Sequence, residues 1–248
     1  MIRLLILLSV LALPAKAEEI VLGLSQDEVA ITATFDGSDL LIFGAIKRDA
    51  PTAAGELGVI VTVAGPDTPV TVRRKERRFG IWVNTDVVNV DAAPSFYAVA
   101  SSAPLSDILT ATEDIRHRIR TPQMVRSVGA DVMDAGNFNR ALIRIRAGQD
   151  LFQNLEGKVD FEEDTLFRAA ISLPANLTEG DYQTRIFLTR DGQVVDIYDT
   201  NIPVKKVGLE RWLYNLAHDN PFWYGLMSLS IAIAAGWLAS AAFALLRR

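Results

Sequence analysis

The chain of 248 residues contains no cysteine and only two histidines, His117 and His218. The first absence excludes a disulfide framework, a thiolate metal site and a cysteine nucleophile. The second leaves few imidazoles for a zinc site, which ordinarily draws on several His or Cys ligands. Also missing are a G-x-S-x-G elbow, a phosphate-binding P-loop and a dinucleotide-binding glycine fingerprint. A formal charge of −5 provides no cationic footprint for nucleic acid. A Ser/His/Asp constellation stays open, because its members meet only in space. His117 would have to supply the imidazole, and a surface imidazole on an arginine-rich helix is the simpler account of it. Glu162-Glu163-Asp164 is a run rather than a spaced acidic loop, so it reads as a solvated turn and not as a Ca²⁺ or Mg²⁺ site. No catalytic residue, cofactor or metal site is assigned. Asn176-Leu177-Thr178 matches a glycosylation sequon, which has no meaning in a bacterial host.

Charge is missing from one long stretch. Residues 222 to 246 run for 25 positions without a charged side chain and end at Arg247 and Arg248. As a helix this run covers ~37 Å, enough to cross ~30 Å of hydrocarbon with some tilt. The other apolar run lies at the N-terminus. Arg3 precedes Leu4 to Leu13, broken only by Ser9, and Pro14 leads into Ala15-Lys16-Ala17 ahead of Glu18. This is the pattern of a secretory signal peptide cut after Ala17, with an uncleaved anchor as the alternative that Lys16 keeps open. Cleavage removes Arg3 and Lys16 and takes the charge from −5 to −7. The signal peptide sets the orientation, since Lys205, Lys206 and Arg211 on the outer flank nearly balance Arg247 and Arg248 on the inner one. The expected product is a single-pass membrane protein with residues 247–248 inside and the bulk of the chain exported.

Between the two ends the chain reads as mainly β. Val29, Ile31, Ala33 and Phe35 alternate with polar residues, and Asp36-Gly37-Ser38-Asp39 signals a turn. Further strands are expected at 40–46, 57–63, 70–74, 79–83 and 96–100, with Gly65-Pro66-Asp67 among the breaks. An immunoglobulin-like antiparallel β-sandwich region over 18–103 fits this spacing. Within it, Arg73, Arg74, Lys75, Arg77 and Arg78 place five cations in six residues. They form a candidate patch for an anion or a lipid headgroup. A solvated hairpin end that keeps an edge strand from pairing accounts for the same residues.

A helical segment is expected over 104–154. Ile108, Ile115 and Ile119 fall on or near one face of a helix at 106–120, Thr110 and Glu113 have capping-box spacing, and Pro122 ends it. Phe138, Leu142, Ile145 and Gln149 share a face of a second helix at 137–152, although Leu142, Ile143 and Ile145 also suit a strand. A second β region over 155–206 has strands at 158–161, 166–173, 182–189 and 194–204. Arg190-Asp191-Gly192-Gln193 marks a hairpin, and Gly180-Asp181-Tyr182 resembles the sandwich corner that a tyrosine hydroxyl closes. The pattern admits either two sandwich modules joined by the helical segment or one sandwich with that segment inserted.

Leu209, Trp212, Leu213, Leu216 and Ala217 recur at helical spacing in residues 207–220, giving an amphipathic helix that lies in the membrane interface or packs on the exported domain. Trp212, Trp223 and Tyr224 would anchor at headgroup depth. Asn220 is placed to cap the following helix, with Pro221 at its first position. In the membrane helix over 221–246, Ser228, Ala232, Gly236, Ser240 and Ala244 recur every four residues, a candidate face for packing against another helix. Trp237 near mid-membrane favours such a contact as well.

Phe35-Asp36-Gly37, Ile42 to Ile46, Gly65-Pro66, Arg168 to Pro174, Gly180-Asp181-Tyr182, Arg190-Asp191-Gly192, Glu210-Arg211-Trp212, Tyr224-Gly225-Leu226 and Gly236-Trp237 together resemble an alphaproteobacterial transmembrane protein family of about this length. The resemblance covers nearly all of the mature chain and includes no catalytic motif. It implies an inner-membrane protein with a periplasmic domain and an accessory role beside sulfite-exporter-type permeases. The expectation is therefore a non-enzymatic, membrane-anchored periplasmic accessory or binding module whose partners are the lipid bilayer and an integral-membrane protein. An envelope hydrolase or transferase and a structural envelope-assembly factor are the alternatives.

Overall fold

The computed structural model describes residues 18–26, 28–32, 35–48, 54–125 and 135–246. The expected signal peptide at 1–17, the pair Ala33-Thr34 and the tail at 247–248 lie outside them. Two compact units are present. The first holds residues up to Val29 and from Asp36 to Val204; the second holds Ala30–Phe35 and Lys205–Arg248.

Among the described residues, twelve strands form three sheets. The four-stranded sheet has β1 (Glu18–Leu24), β3 (Gly37–Arg48), β10 (Leu166–Pro174) and β9 (Val159–Glu162) in that order. The six-stranded sheet runs β2 (Val29–Ile31), β12 (Gln193–Lys206), β11 (Gly180–Arg190), β4 (Leu57–Ala64), β7 (Tyr97–Ser101), β8 (Phe152–Leu155). A two-stranded ribbon joins β5 (Asp67–Arg78) to β6 (Ile81–Pro94). Strands from before and after the helical segment thus interleave in the same sheets. The fold is mainly β, as the alternation of apolar and polar residues predicts.

Periodicity explains the four-stranded sheet directly. In β10, Phe167, Ala169, Ile171 and Leu173 are buried while their neighbours are not. Leu40 and Ile42 on β3 lie opposite Ile171 and Ala169, so one continuous apolar face turns inward. Strand β4 behaves differently, being buried at all eight positions. Its cross-strand partners resolve why. Val61 lies opposite Ile186 and Ala100 on one face, Ile60 opposite Phe187 on the other. The second face belongs to a core that also takes in Tyr97, Leu105, Ile108, Ile119, Leu142 and Phe152, contributed largely by the helical segment. A strand covered on both faces has no reason to alternate.

That segment comprises α1 (Leu105–Ile108), α2 (Ala111–His117), α3 (Thr121–Met124) and α4 (Ala135–Ala147). It connects β7 to β8, the one parallel pairing among those described, with Tyr97 opposite Phe152. Parallel neighbours need a crossover rather than a hairpin, and the helices supply it. The single helix expected at 106–120 is broken, because Leu109 is extended and buried. The break resets the helical phase, so Ile108 and Ile119 are buried while Ile115 is exposed. Thr110 occupies the N-cap of α2, yet its side chain makes no capping bond, so the expected capping box does not form. Its hydroxyl instead accepts from the Gln193 amide, and Glu113 turns to Arg116 and His117. The second helix forms with Phe138 and Leu142 buried, but Ile145 faces out and Gln149 lies beyond its end.

The turns follow their local chemistry. Asp191 and Gly192 both have positive φ, the geometry of the tight turn that joins two twisted antiparallel strands, and Arg190 pairs with Gln193 across it. Tyr182 closes the expected corner by donating its hydroxyl to the Thr178 carbonyl at 2.9 Å. Glu163 and Asp164 form an exposed turn between β9 and β10, as the acidic run suggests.

Candidate functional site

The second unit is built around two helices, α5 (Leu209–Asp219) and α6 (Pro221–Leu246). Asn220 manages the junction with its backbone. Its N–H closes α5 on the Leu216 carbonyl at 3.2 Å, and its own carbonyl accepts the N–H groups of Trp223 and Tyr224 at 3.1 and 3.2 Å. Pro221 takes the first position of α6, where a missing N–H leaves nothing unsatisfied. Within α5, His218 stacks on Tyr214 with ring centroids 3.9 Å apart. Trp212 is exposed, whereas Leu213, Leu216 and Ala217 are half-buried. Among the described residues, Pro221–Phe243 is the one helix long and apolar enough to cross a membrane. Ser228, Ala232, Gly236 and Ser240 all lie exposed on it at four-residue spacing, and Ala244 continues the row on the same helix. Trp223, Tyr224 and Trp237 are exposed too. Ser230, one turn from Leu226, returns its hydroxyl to the Leu226 carbonyl at 2.8 Å, so this polar group needs no outside partner.

The five cations of the basic run occupy the outer part of β5. Val70 and Val72 at the base of the ribbon pack on the core with Val90 and Ala93 of β6. Arg74 ends this packed part, bonded to Asp86 at 3.3 Å and lying 4.7 Å over the Phe138 ring of α4. Beyond it the ribbon projects as an arm. Lys75, Arg77 and Arg78 on one strand face Asn84, Trp82 and Ile81 on the other. Phe79 and Gly80, both at positive φ, make the tip. The sequence pattern has Phe79 open a strand, but the chain reverses there, and Arg78–Ile81 is the last pair. Arg78 also pairs with Glu76 at 3.6 Å on the exposed surface.

An uncharged, exposed helix of this length, following a β-rich unit, describes a protein held in a bilayer. Residues 19–245 match the family model described as "Putative transmembrane protein (Alph_Pro_TM)". The chain belongs to this family. No curated protein matches it. Membership and the exposed span agree on a transmembrane protein with one C-terminal apolar helix.

In this member of the family His117 has partners on two sides. Its Nε2 lies 3.2 Å from the buried Glu113 carboxylate and its ring 5.7 Å from Phe187. The shallow cavity beside it is lined by Glu113, Arg116, His117 and 194–197, a set without a serine. Among the described residues no group of three or more His, Asp or Glu side chains could hold a metal ion.

A feature that sequence reasoning missed is an apolar groove of about 510 Å³ on the outer face of the four-stranded sheet, lined by Val21, Phe43, Ala45, Leu166 and Arg168 among others. The Phe43 ring lies over Gly23, its cross-strand partner, where any Cβ would stand 2.5 Å from it. Glycine opposite an aromatic on an alternating strand is the signal that could have revealed it. Arg168 and Asp160 close one rim at 2.9 Å.

Two titratable groups elsewhere mark how the helical segment is held. Burial pushes the Tyr97 phenol up, and its hydroxyl donates to the Ile119 carbonyl across the core. Glu156 is held below the ordinary carboxylate range, first by the Asn154 amide and then by the Leu105 N–H at the start of α1.

Proposed function

We propose that the protein is a non-enzymatic accessory or binding module on the periplasmic side of a bacterial inner membrane, working beside an integral-membrane protein such as a sulfite-exporter-type permease. The observation that carries this reading is α6: its surface is exposed along nearly its whole length, and one face presents the row from Ser228 to Ser240. Small side chains let a second helix approach closely, and serine hydroxyls bond across such a contact. Trp237, far from either end of the helix and 71% exposed, adds a large surface at a depth where belt tryptophans seldom sit.

The orientation rests on the signal peptide. The apolar run after Arg3 and the Ala15-Lys16-Ala17 site carry that reading. The Tyr182 corner supports an immunoglobulin-like reading of the β region. With the span running outward to inward, binding is assigned to the β unit and the exposed face of α6.

Photo-crosslinking from positions 232 and 236 of the full-length protein in native membranes tests the reading. Capture of a polytopic membrane protein from these positions, and not from 238 on the opposite face, is the expected result. Labelling of lipid alone from all three would overturn it.

A further inference from the structure

The β5–β6 arm combines two properties that a water-facing hairpin has no reason to combine. Its tip exposes Phe79 at 106%, Trp82 at 68% and Ile81 at 65% of their full surfaces. Immediately behind them stand Lys75, Arg77 and Arg78 against the single carboxylate of Glu76, in a chain whose net charge is −5. Protecting an edge from pairing needs charges but no aromatics. Nor do the tip residues serve the core. The packed part of the ribbon ends at Arg74 and Asp86, and a Cβ built on Gly80 meets nothing within 4 Å. From Lys75 to the tip the arm extends ~16 Å.

We propose that this arm is a second membrane attachment, inserting Phe79, Ile81 and Trp82 into the headgroup region of an anionic bilayer while Lys75, Arg77 and Arg78 bind lipid phosphates. Trp and Phe are suited to that depth, and cations just behind an apolar tip meet the phosphate plane as the tip enters. Long cationic side chains also spread apolar stems along the boundary while their charges stay wet. Shape favours lipid over a protein partner. A specific protein interface takes ~800 Å² from each side in a complementary patch, whereas a narrow two-stranded tip is convex and open on both faces. Arg74 is not part of the contact, because Asp86 and the Phe138 ring already engage it. A weak tip suffices, since α6 keeps the whole chain tethered to the bilayer and makes the second contact intramolecular in effect. This holds whether or not α6 has a protein partner.

The lack of native cysteine allows a clean test on the full-length protein. Phe79→Cys carrying an NBD fluorophore is placed in nanodiscs of phosphatidylcholine with or without phosphatidylglycerol, with spin-labelled lipid as quencher. Blue-shifted, lipid-quenched emission in the anionic discs is expected, weakened in the neutral ones. Lys75→Glu and Arg77→Glu should each reduce the inserted-to-free ratio about fivefold or more, and high salt should act in the same direction. Val83→Cys provides a second probe position that leaves Phe79 in place, and Lys158→Cys, exposed in the turn ahead of β9, reports the aqueous baseline. Emission from both arm probes that matches this baseline in anionic discs, with the protein folded by circular dichroism, overturns the proposal. So does protection seen in native membranes but not in protein-free anionic discs, which would make the occupant a protein.

Discussion

Strand β4 and helix α6 are both uninterrupted runs without a charge, yet every residue of β4 is buried and α6 is exposed along nearly its whole length. The difference lies in where the backbone finds its hydrogen bonds. β4 depends on β11 and β7 for its N–H and C=O groups, so it is stable only between them, inside protein. α6 satisfies its own backbone and can enter hydrocarbon, where no water replaces a missing partner. Equal apolarity therefore leads to opposite surroundings.

The comparison predicts opposite responses to substitution. Val61→Asp places a carboxylate at a fully buried position of β4 and should abolish folding of the β unit. Rapid proteolysis of the membrane-bound chain, where the native protein resists, would record this. Ile60→Ala should lower the stability of the β unit by about 2–5 kcal/mol, whereas Ile233→Ala in α6 should change it by less than ~0.5 kcal/mol. Denaturant titration in nanodiscs separates the two, and similar losses would contradict the assignment of α6 to lipid.

Smaller effects sharpen the contrast within the β unit. Tyr182→Phe removes the bond to the Thr178 carbonyl and should cost about 1 kcal/mol without altering membrane retention. The least effect is expected at Glu156. Its carboxyl titrates lower in the folded chain than in the unfolded one, so its contribution is present above the ordinary value of 4.5 and lost as pH falls through the folded value. Glu156→Gln should therefore reduce stability at neutral pH slightly and make the mutant and native curves converge in acid.

Local signals were legible wherever one residue type suffices for one geometry. Asp191-Gly192, the Tyr182 corner, the alternation of β10 and the Pro221 start of α6 all appear at their expected places. Long-range arrangements were less so. For the ribbon the sequence pattern predicts two short strands at 70–74 and 79–83, because Arg73–Arg78 hides the alternation that Val70 and Val72 begin; the structure extends them to 12 and 14 residues. The groove under Phe43 depends on pairing β1 with β3, and His117 meets Glu113 only because Leu109 breaks the helix ahead of them.

The sequence by itself determined that this protein has a helix able to cross a bilayer, a mainly β body and the places where several turns fall. These depend on contacts within a few residues or on a sum over 25 uncharged positions. Only the tertiary structure decided that β4 lies between two layers, that β7 and β8 are parallel with the helices as their crossover, and that the basic run is an arm with an aromatic tip. Each of those depends on which distant strand is the neighbour, and pairing between strands far apart in the chain leaves little trace in either partner alone.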